Sequence, residues 1–130
     1  MHDLSFKRVF IAGGAGYIGS KLVPHLLQKN YEVGVFDLFM YGDHLPKHPN
    51  IEKINADIRD RKKLIESVRG YEAFIHLACI SNDPSFDLDP QLGKSINFDA
   101  FRNVIDAVRI NKVKRFIVAS STSQYGIKDP

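Results

Sequence analysis

The segment Gly13-Gly14-Ala15-Gly16-Tyr17-Ile18-Gly19 stands directly after the apolar run Val9-Phe10-Ile11-Ala12. Glycines in such a turn adopt backbone angles closed to other residues, admit a pyrophosphate against bare backbone, and let a helix pack close to a strand. The helix that follows would present its first N–H groups and the positive end of its dipole to the anion. Asp37 follows Gly19 by 18 positions, near the ~20 at which a carboxylate accepts hydrogen bonds from an adenosine ribose. The same carboxylate repels a 2′-phosphate, and Leu38, Phe39, Met40 and Tyr41 bring no arginine to receive one. These residues predict a dinucleotide site that takes NAD in preference to NADP.

Positioning that turn and that carboxylate requires strands and helices in alternation, and the apolar pattern supplies them. Residues 8–12 read as a strand, and 17–30 as a helix with Ile18, Leu22 and Leu26 at helical spacing, mildly kinked at Pro24 and ended by Asn30. Residues 32–36 form a second strand, 41–50 a loop with Gly42, Pro46 and Pro49, and 51–55 a short third strand with Asp57 at its exit. A charged amphipathic helix over 60–68, closed by Gly70, leads to a fourth strand at 73–77. After a loop over 81–90 comes a long helix, 91–111, with Ile96, Phe101, Val104, Ile105 and Val108 at helical spacing, and then a fifth strand, 115–120. This alternation implies an α/β fold of Rossmann type, a doubly wound parallel sheet of strand order 3-2-1-4-5 with right-handed crossovers. The sites then collect beyond the carboxyl ends of the strands, where 13–19, Asp37, Asp57, 78–81 and 120–125 all fall.

A chain of 130 residues suits one domain, here a dinucleotide-binding domain over 1–130. With 44% hydrophobic and 25% charged residues it reads as soluble and globular, and no apolar stretch approaches the ~20 residues of a membrane span. The single cysteine, Cys79, excludes an internal disulfide and fits a reducing cytoplasm. A net charge of +3 comes from 18 basic and 15 acidic side chains mixed along the chain. Its basic clusters, 59–63 and 112–115, lack interleaved aromatics and read as solvated helix ends, which argues against nucleic acid as a partner.

Taken in order, residues 9–19, Asp37, Asp57-Ile58-Arg59, His76-Leu77-Ala78, Asn97 and Ser120-Ser121-Thr122-Ser123-Gln124-Tyr125-Gly126 resemble the successive motifs of the extended short-chain dehydrogenase/reductase family, in the style of its nucleotide-sugar epimerases and dehydratases. The resemblance covers the chain from about Lys7 onward. It implies that Gly13, Gly16, Tyr17, Ile18 and Gly19 wrap the pyrophosphate, that Asp37 holds the ribose, and that Asp57 and Ile58 flank the adenine. It further implies that Leu77 and Ala78 line the dinucleotide, that Asn97 acts from the long helix, and that Ser121 is the catalytic hydroxyl. The family's acid/base pair, Tyr-x-x-x-Lys, has no counterpart here: Tyr125 is followed by Gly126-Ile127-Lys128-Asp129-Pro130, and it matches the family's strand-end tyrosine. The expectation is therefore an NAD-binding domain whose 130 residues bind cofactor without turnover. The resemblance also implies a homodimer in full-length form, built on the long helix, so that the chain alone would self-associate through that helix or the fifth strand.

Ser81, Asn82, Thr122 and Ser123 are the expected substrate contacts, from loops on the substrate side. No metal site is expected: Pro46 between His44 and His48 denies them a helical face, and Asp83, Asp87 and Asp89 lack the frame of a calcium loop. Cys79 reads as a small packing residue and His76 as a polar residue completing its strand. Two other functions remain open, a non-catalytic dinucleotide-binding module and a net NAD(P)H-dependent reductase of the same family.

Overall fold

The computed structural model of the chain describes residues 5–80 and 88–120. Five parallel strands, β1 (Arg8–Ala12), β2 (Glu32–Asp37), β3 (Ile51–Asn55), β4 (Ala73–His76) and β5 (Arg115–Val118), form one sheet of order β3-β2-β1-β4-β5. The helices are α1 (Gly19–Gln28), α2 (Arg61–Val68), α3 (Pro90–Lys94) and α4 (Phe101–Ile110), with a π-helical turn, Ser95–Asp99, between the last two. The Rossmann-type order expected from the sequence is the one observed. No helix among the described residues is long and apolar enough to cross a membrane.

Successive residues of a strand point to opposite faces, so each strand feeds two cores. Phe10 and Ala12 of β1, Phe36 of β2 and Phe74 of β4 pack on one face with Leu64 and Val68 of α2 and with Ala100, Val104 and Ala107 beside and along α4. Val9, Ile11, Val33, Val35 and Ala73 pack on the other with Val23 and Leu27 of α1. The α2–α4 face is aromatic: the Phe10 ring lies 5.0 Å from Phe74, 5.9 Å from Phe36 and 5.3 Å from Tyr71, centroid to centroid.

Helix ends follow local chemistry. Asn30, at φ 65°, ends α1 as expected, with the Tyr31 N–H donating to the Leu26 carbonyl in a Schellman closure. Asp60 accepts from the Lys63 N–H and caps α2. Helix α1 begins at Gly19, two residues after its expected start, and runs on through Pro24. The long helix expected over 91–111 is divided, since the π turn interrupts it and α4 ends at Ile110, closed by Lys112 at φ 52°.

At the amino ends of the strands, Glu72 accepts from the backbone N–H groups of Lys7 and Arg8 and from Lys114 Nζ. Beside it the Arg8 guanidinium covers the Tyr71 ring at 4.5 Å, and Tyr71 donates to Glu52 Oε2 at 2.8 Å. Burial, then the nearby Glu52 carboxylate, raises the Tyr71 phenol far above its ordinary value. Gly34 of β2 makes room for this ring, because a Cβ there would lie 2.5 Å from the Tyr71 hydroxyl and 2.6 Å from Cζ. Gly34→Ala should therefore push Tyr71 off Glu52 and Phe10, lowering stability by about 1–3 kcal/mol. Denaturant unfolding measures this, and an unchanged midpoint would show that the ring yields freely.

Candidate functional site

Gly13 takes φ +84°, and a Cβ on it would lie 2.5 Å from the Ala78 backbone nitrogen. Only glycine lets the chain leaving β4 pass so close to the end of β1. The Gly13 N–H donates to the Phe36 carbonyl at 2.8 Å and the Leu77 N–H to the Ala12 carbonyl at 2.7 Å, so the exits of β2 and β4 are tied to that of β1. Gly19 is buried, and a side chain there would collide with the backbone of Gly14. The helix start is thus pressed onto the turn, with no acidic residue in its first turn to compete for an anion.

Asp37 completes the turn. Its Oδ2 accepts from the Ala15 N–H at 3.0 Å and its Oδ1 from the Phe39 N–H at 2.9 Å. Each carboxylate oxygen has a second lone pair for a ligand hydroxyl. The bond to Phe39 also steadies that residue in the left-handed region, at φ 52°.

These groups border a cleft of about 380 Å³. Gly13, Gly16, Asp37, Asp57, Ile58, Leu77 and Ala78, all singled out in the sequence, line it together. Tyr17 and Ile18 do not line it, being 90% and 57% exposed at the start of α1. Asn97 also stands outside the lining, in the π turn, and its amide is engaged by one residue: Oδ1 accepts from the Ile80 N–H at 2.7 Å and Nδ2 donates to the Ile80 carbonyl at 3.1 Å. It therefore fixes the segment after β4, which walls the cleft with Cys79 and Ile80. Ser81, Asn82, Ser121, Thr122, Ser123 and Tyr125 lie outside the described residues.

The Asp57 carboxylate is held by Arg59, whose N–H and Nε reach Oδ1 at 2.9 and 3.0 Å while Nε also reaches Oδ2 at 2.9 Å. These hydrogen bonds keep Asp57 below the usual carboxylate range. Cys79 is exposed and lines the cleft, so it is not the packing residue that its small size suggested. Partial desolvation raises its thiol pKa, which disfavours the thiolate a nucleophile needs. The residues missed from sequence, Ala15, Ile80, Leu92 and Ile96 among them, meet the cleft through backbone or apolar surface. No cluster of metal-ligating side chains occurs among the described residues.

Comparison with known proteins bears on this site. The family described as NAD dependent epimerase/dehydratase matches residues 9–130. A UDP-N-acetyl-alpha-D-glucosaminuronate decarboxylase of Bacillus cytotoxicus is 34% identical over 95% of this chain and 39% of its own length. A 3-beta-hydroxysteroid dehydrogenase of Mycolicibacterium neoaurum is 29% identical over 89% and 32% respectively. The dTDP-glucose 4,6-dehydratase of Streptomyces venezuelae, solved with NAD bound, superposes with a TM-score of 0.86 at 27% identity, over 95% of this chain and 42% of that one. The chain thus spans less than half the length of these relatives.

His76 ends β4 beside the site, 7% exposed, with its ring 5.7 Å from that of Phe101. Its Nδ1 is buried and has no hydrogen-bond partner among the described residues. Desolvation lowers its pKa, so the folded chain holds the neutral ring. Above pH ~6.5 the ring is neutral folded or unfolded; as pH falls through that value the unfolded chain binds a proton that the folded chain refuses, and stability is lost. Thermal unfolding from pH 8 to pH 5 should show a falling midpoint below about pH 6.5, with a shallower fall in His76→Gln. Identical slopes for the two proteins would remove His76 as the cause.

Proposed function

The chain belongs to the NAD dependent epimerase/dehydratase family, and from that premise we propose that residues 1–130 form the dinucleotide-binding domain of an NAD-dependent enzyme acting on a nucleotide-activated sugar. The observation that carries this reading is the Ala15 N–H to Asp37 Oδ2 bond, which joins the glycine turn and the ribose-side carboxylate into one rigid corner of the cleft. Bare backbone at Gly13 and Gly16 would receive the pyrophosphate, Asp37 the ribose hydroxyls, and Asp57 with Ile58 the adenine. Leu77 and Ala78 would support the nicotinamide half, and Tyr17, Ile18 and Gly19 would contribute the start of α1.

Bound NAD would supply a hydride acceptor that returns the hydride later in the cycle. This chain's own part is to bind, orient and exclude water, with Asn97 holding the Ile80 segment over the cleft. We assign Ser121 as the hydroxyl that hydrogen-bonds the reacting sugar oxygen, and Ser81, Asn82, Thr122 and Ser123 as substrate contacts. The sugar class is supported by the decarboxylase and dehydratase relatives. The hydroxysteroid dehydrogenase relative favours a second reading, net oxidation or reduction, which accumulation of NADH during turnover would reveal. We place the enzyme in the cytoplasm as a homodimer, a state supported by the exposed apolar residues Phe98 and Ile110 along the π turn and α4.

Calorimetry of the chain with NAD and with NADP tests the cofactor reading. NAD should bind more tightly, and Asp37→Asn should weaken NAD by roughly 1.5–3 kcal/mol, the worth of hydrogen bonds to a charged acceptor, while narrowing the gap to NADP. Equal or tighter binding of NADP by the unaltered chain would refute the assignment.

A further inference from the structure

The cleft lining carries two carboxylates, those of Asp37 and Asp57, and among the described residues neither lysine nor arginine. A cation nevertheless stands behind it. Lys53 of β3 pairs with Val35, two residues before the Asp37–Asn55 pair. It therefore lies on the face of the sheet that bears Asp37, one strand away and about 7 Å back along it.

The segment leaving β2 keeps that cation occupied. Asp37 fixes the Phe39 N–H, and the chain then turns back through a bond from the Gly42 N–H to the Phe39 carbonyl at 3.1 Å, with Gly42 at φ +90°. It runs on to Leu45, which is buried with Val33 and Val35 in the core on the α1 face. Between these two anchors, Asp43 accepts from the Leu45 N–H through Oδ1 at 3.0 Å and from Lys53 Nζ through Oδ2 at 2.8 Å, and the Leu45 carbonyl receives the same ammonium at 3.4 Å. The strap over 38–45, which walls the cleft beside Asp37 with Leu38, Phe39, Met40 and Tyr41, is thus latched to β3 through Lys53.

With Asp37 on the ribose hydroxyls, a 2′-phosphate would stand against this wall. A lysine ammonium is a point charge on a flexible stem, suited to such a dianion. We propose that Asp43 is a specificity-determining residue: by holding the Lys53 ammonium it denies a 2′-phosphate its counter-charge, so that the preference for NAD over NADP is set by this ion pair as well as by Asp37. The proposal rests on the dinucleotide reading of the cleft. It sets this pair apart from Arg61–Asp106, Lys94–Asp99 and Arg8–Glu32, which join other elements and leave the strap untouched.

Calorimetric titration with NAD and with NADP, on the unaltered chain and on Asp43→Asn, Lys53→Met and the double variant, tests this. Asp43→Asn keeps an oxygen for the Leu45 N–H and removes only the charge. It should tighten NADP by about tenfold, the worth of a hydrogen bond to a charged group, with NAD changed by less than about threefold, and the gain should shrink as salt is raised. Lys53→Met opens the same latch with no cation to release, so NADP should not tighten, and the double variant should lose the gain. Unchanged NADP affinity in Asp43→Asn overturns the proposal, as does an equal gain in Lys53→Met, the mark of a loosened strap rather than a released charge. If Asp43→Asn does not fold, Asp43→Ser, which retains an acceptor for the Leu45 N–H, decides by the same comparison. An unaltered chain that binds neither dinucleotide refutes the dinucleotide reading itself; one that binds NAD but gains nothing toward NADP in Asp43→Asn leaves that reading standing, and this proposal alone falls.

Discussion

The open end of the sheet depends on one close approach, that of Gly13 to the backbone of Leu77 and Ala78. Adjacent parallel strands discharge their chains in the same direction, so the segments leaving β1 and β4 compete for one volume. A residue with no side chain and a positive φ resolves the conflict, because the chain leaving β1 can turn away while the other passes against its backbone. The two bonds that secure this crossing, Gly13 to Phe36 and Leu77 to Ala12, also fix how far apart the exits of β2 and β4 can stand. The width of the cleft follows from that spacing, with Asp37 on one side and Ala78 on the other.

The pleat of the sheet decides which helix covers which face. One phenylalanine from each of β1, β2, β4 and β5 gives the α2–α4 face a broad aromatic layer, while valine, isoleucine and alanine give the α1 face a flatter one. The small residues Ala100 and Ala107 let α4 settle close against those rings. That closeness brings polar side chains of α4 within reach of the loop after β3, so core packing and the placement of a cleft wall are the same event.

Much of this was legible in the sequence because the inner strands β1, β2 and β4 appear as apolar runs, and all five strands lie within a residue or two of their expected bounds. Asn30 declared its helix end, since asparagine tolerates the left-handed region; Lys112 did the same work unannounced, held there by the Val113 N–H to Val108 carbonyl bond. The π turn had a signal that helical spacing alone conceals. Leu92, Ile96, Ala100, Val104 and Val108 recur every fourth residue, and in an α-helix such a row drifts by about 40° at each step. The π turn takes up the surplus, so Leu92 and Ile96 reach the cleft while Ala100, Val104 and Val108 pack on the sheet. At the site, Asp37 was legible by its distance from the glycines, but its partner, the Ala15 N–H, was not, because every residue but proline carries that donor. Asn97 was legible as a candidate and not in its geometry, since the backbone of Ile80 that it grips has no residue-type signature.

The opposite end of the sheet is sealed by Glu72, Arg8, Tyr71 and Glu52 into a network that, with the Arg8–Glu32 ion pair, joins all five strand entrances. A fold so divided has one end at which sequence change threatens survival of the fold and another at which, Gly13 and Gly19 apart, it alters what is recognised. Substitutions at the sealed end are therefore filtered by folding before they are tested by chemistry, whereas the loops at the open end can vary with the scaffold intact. Divergence among proteins built on this plan should concentrate where β2, β3 and β4 let go of the chain.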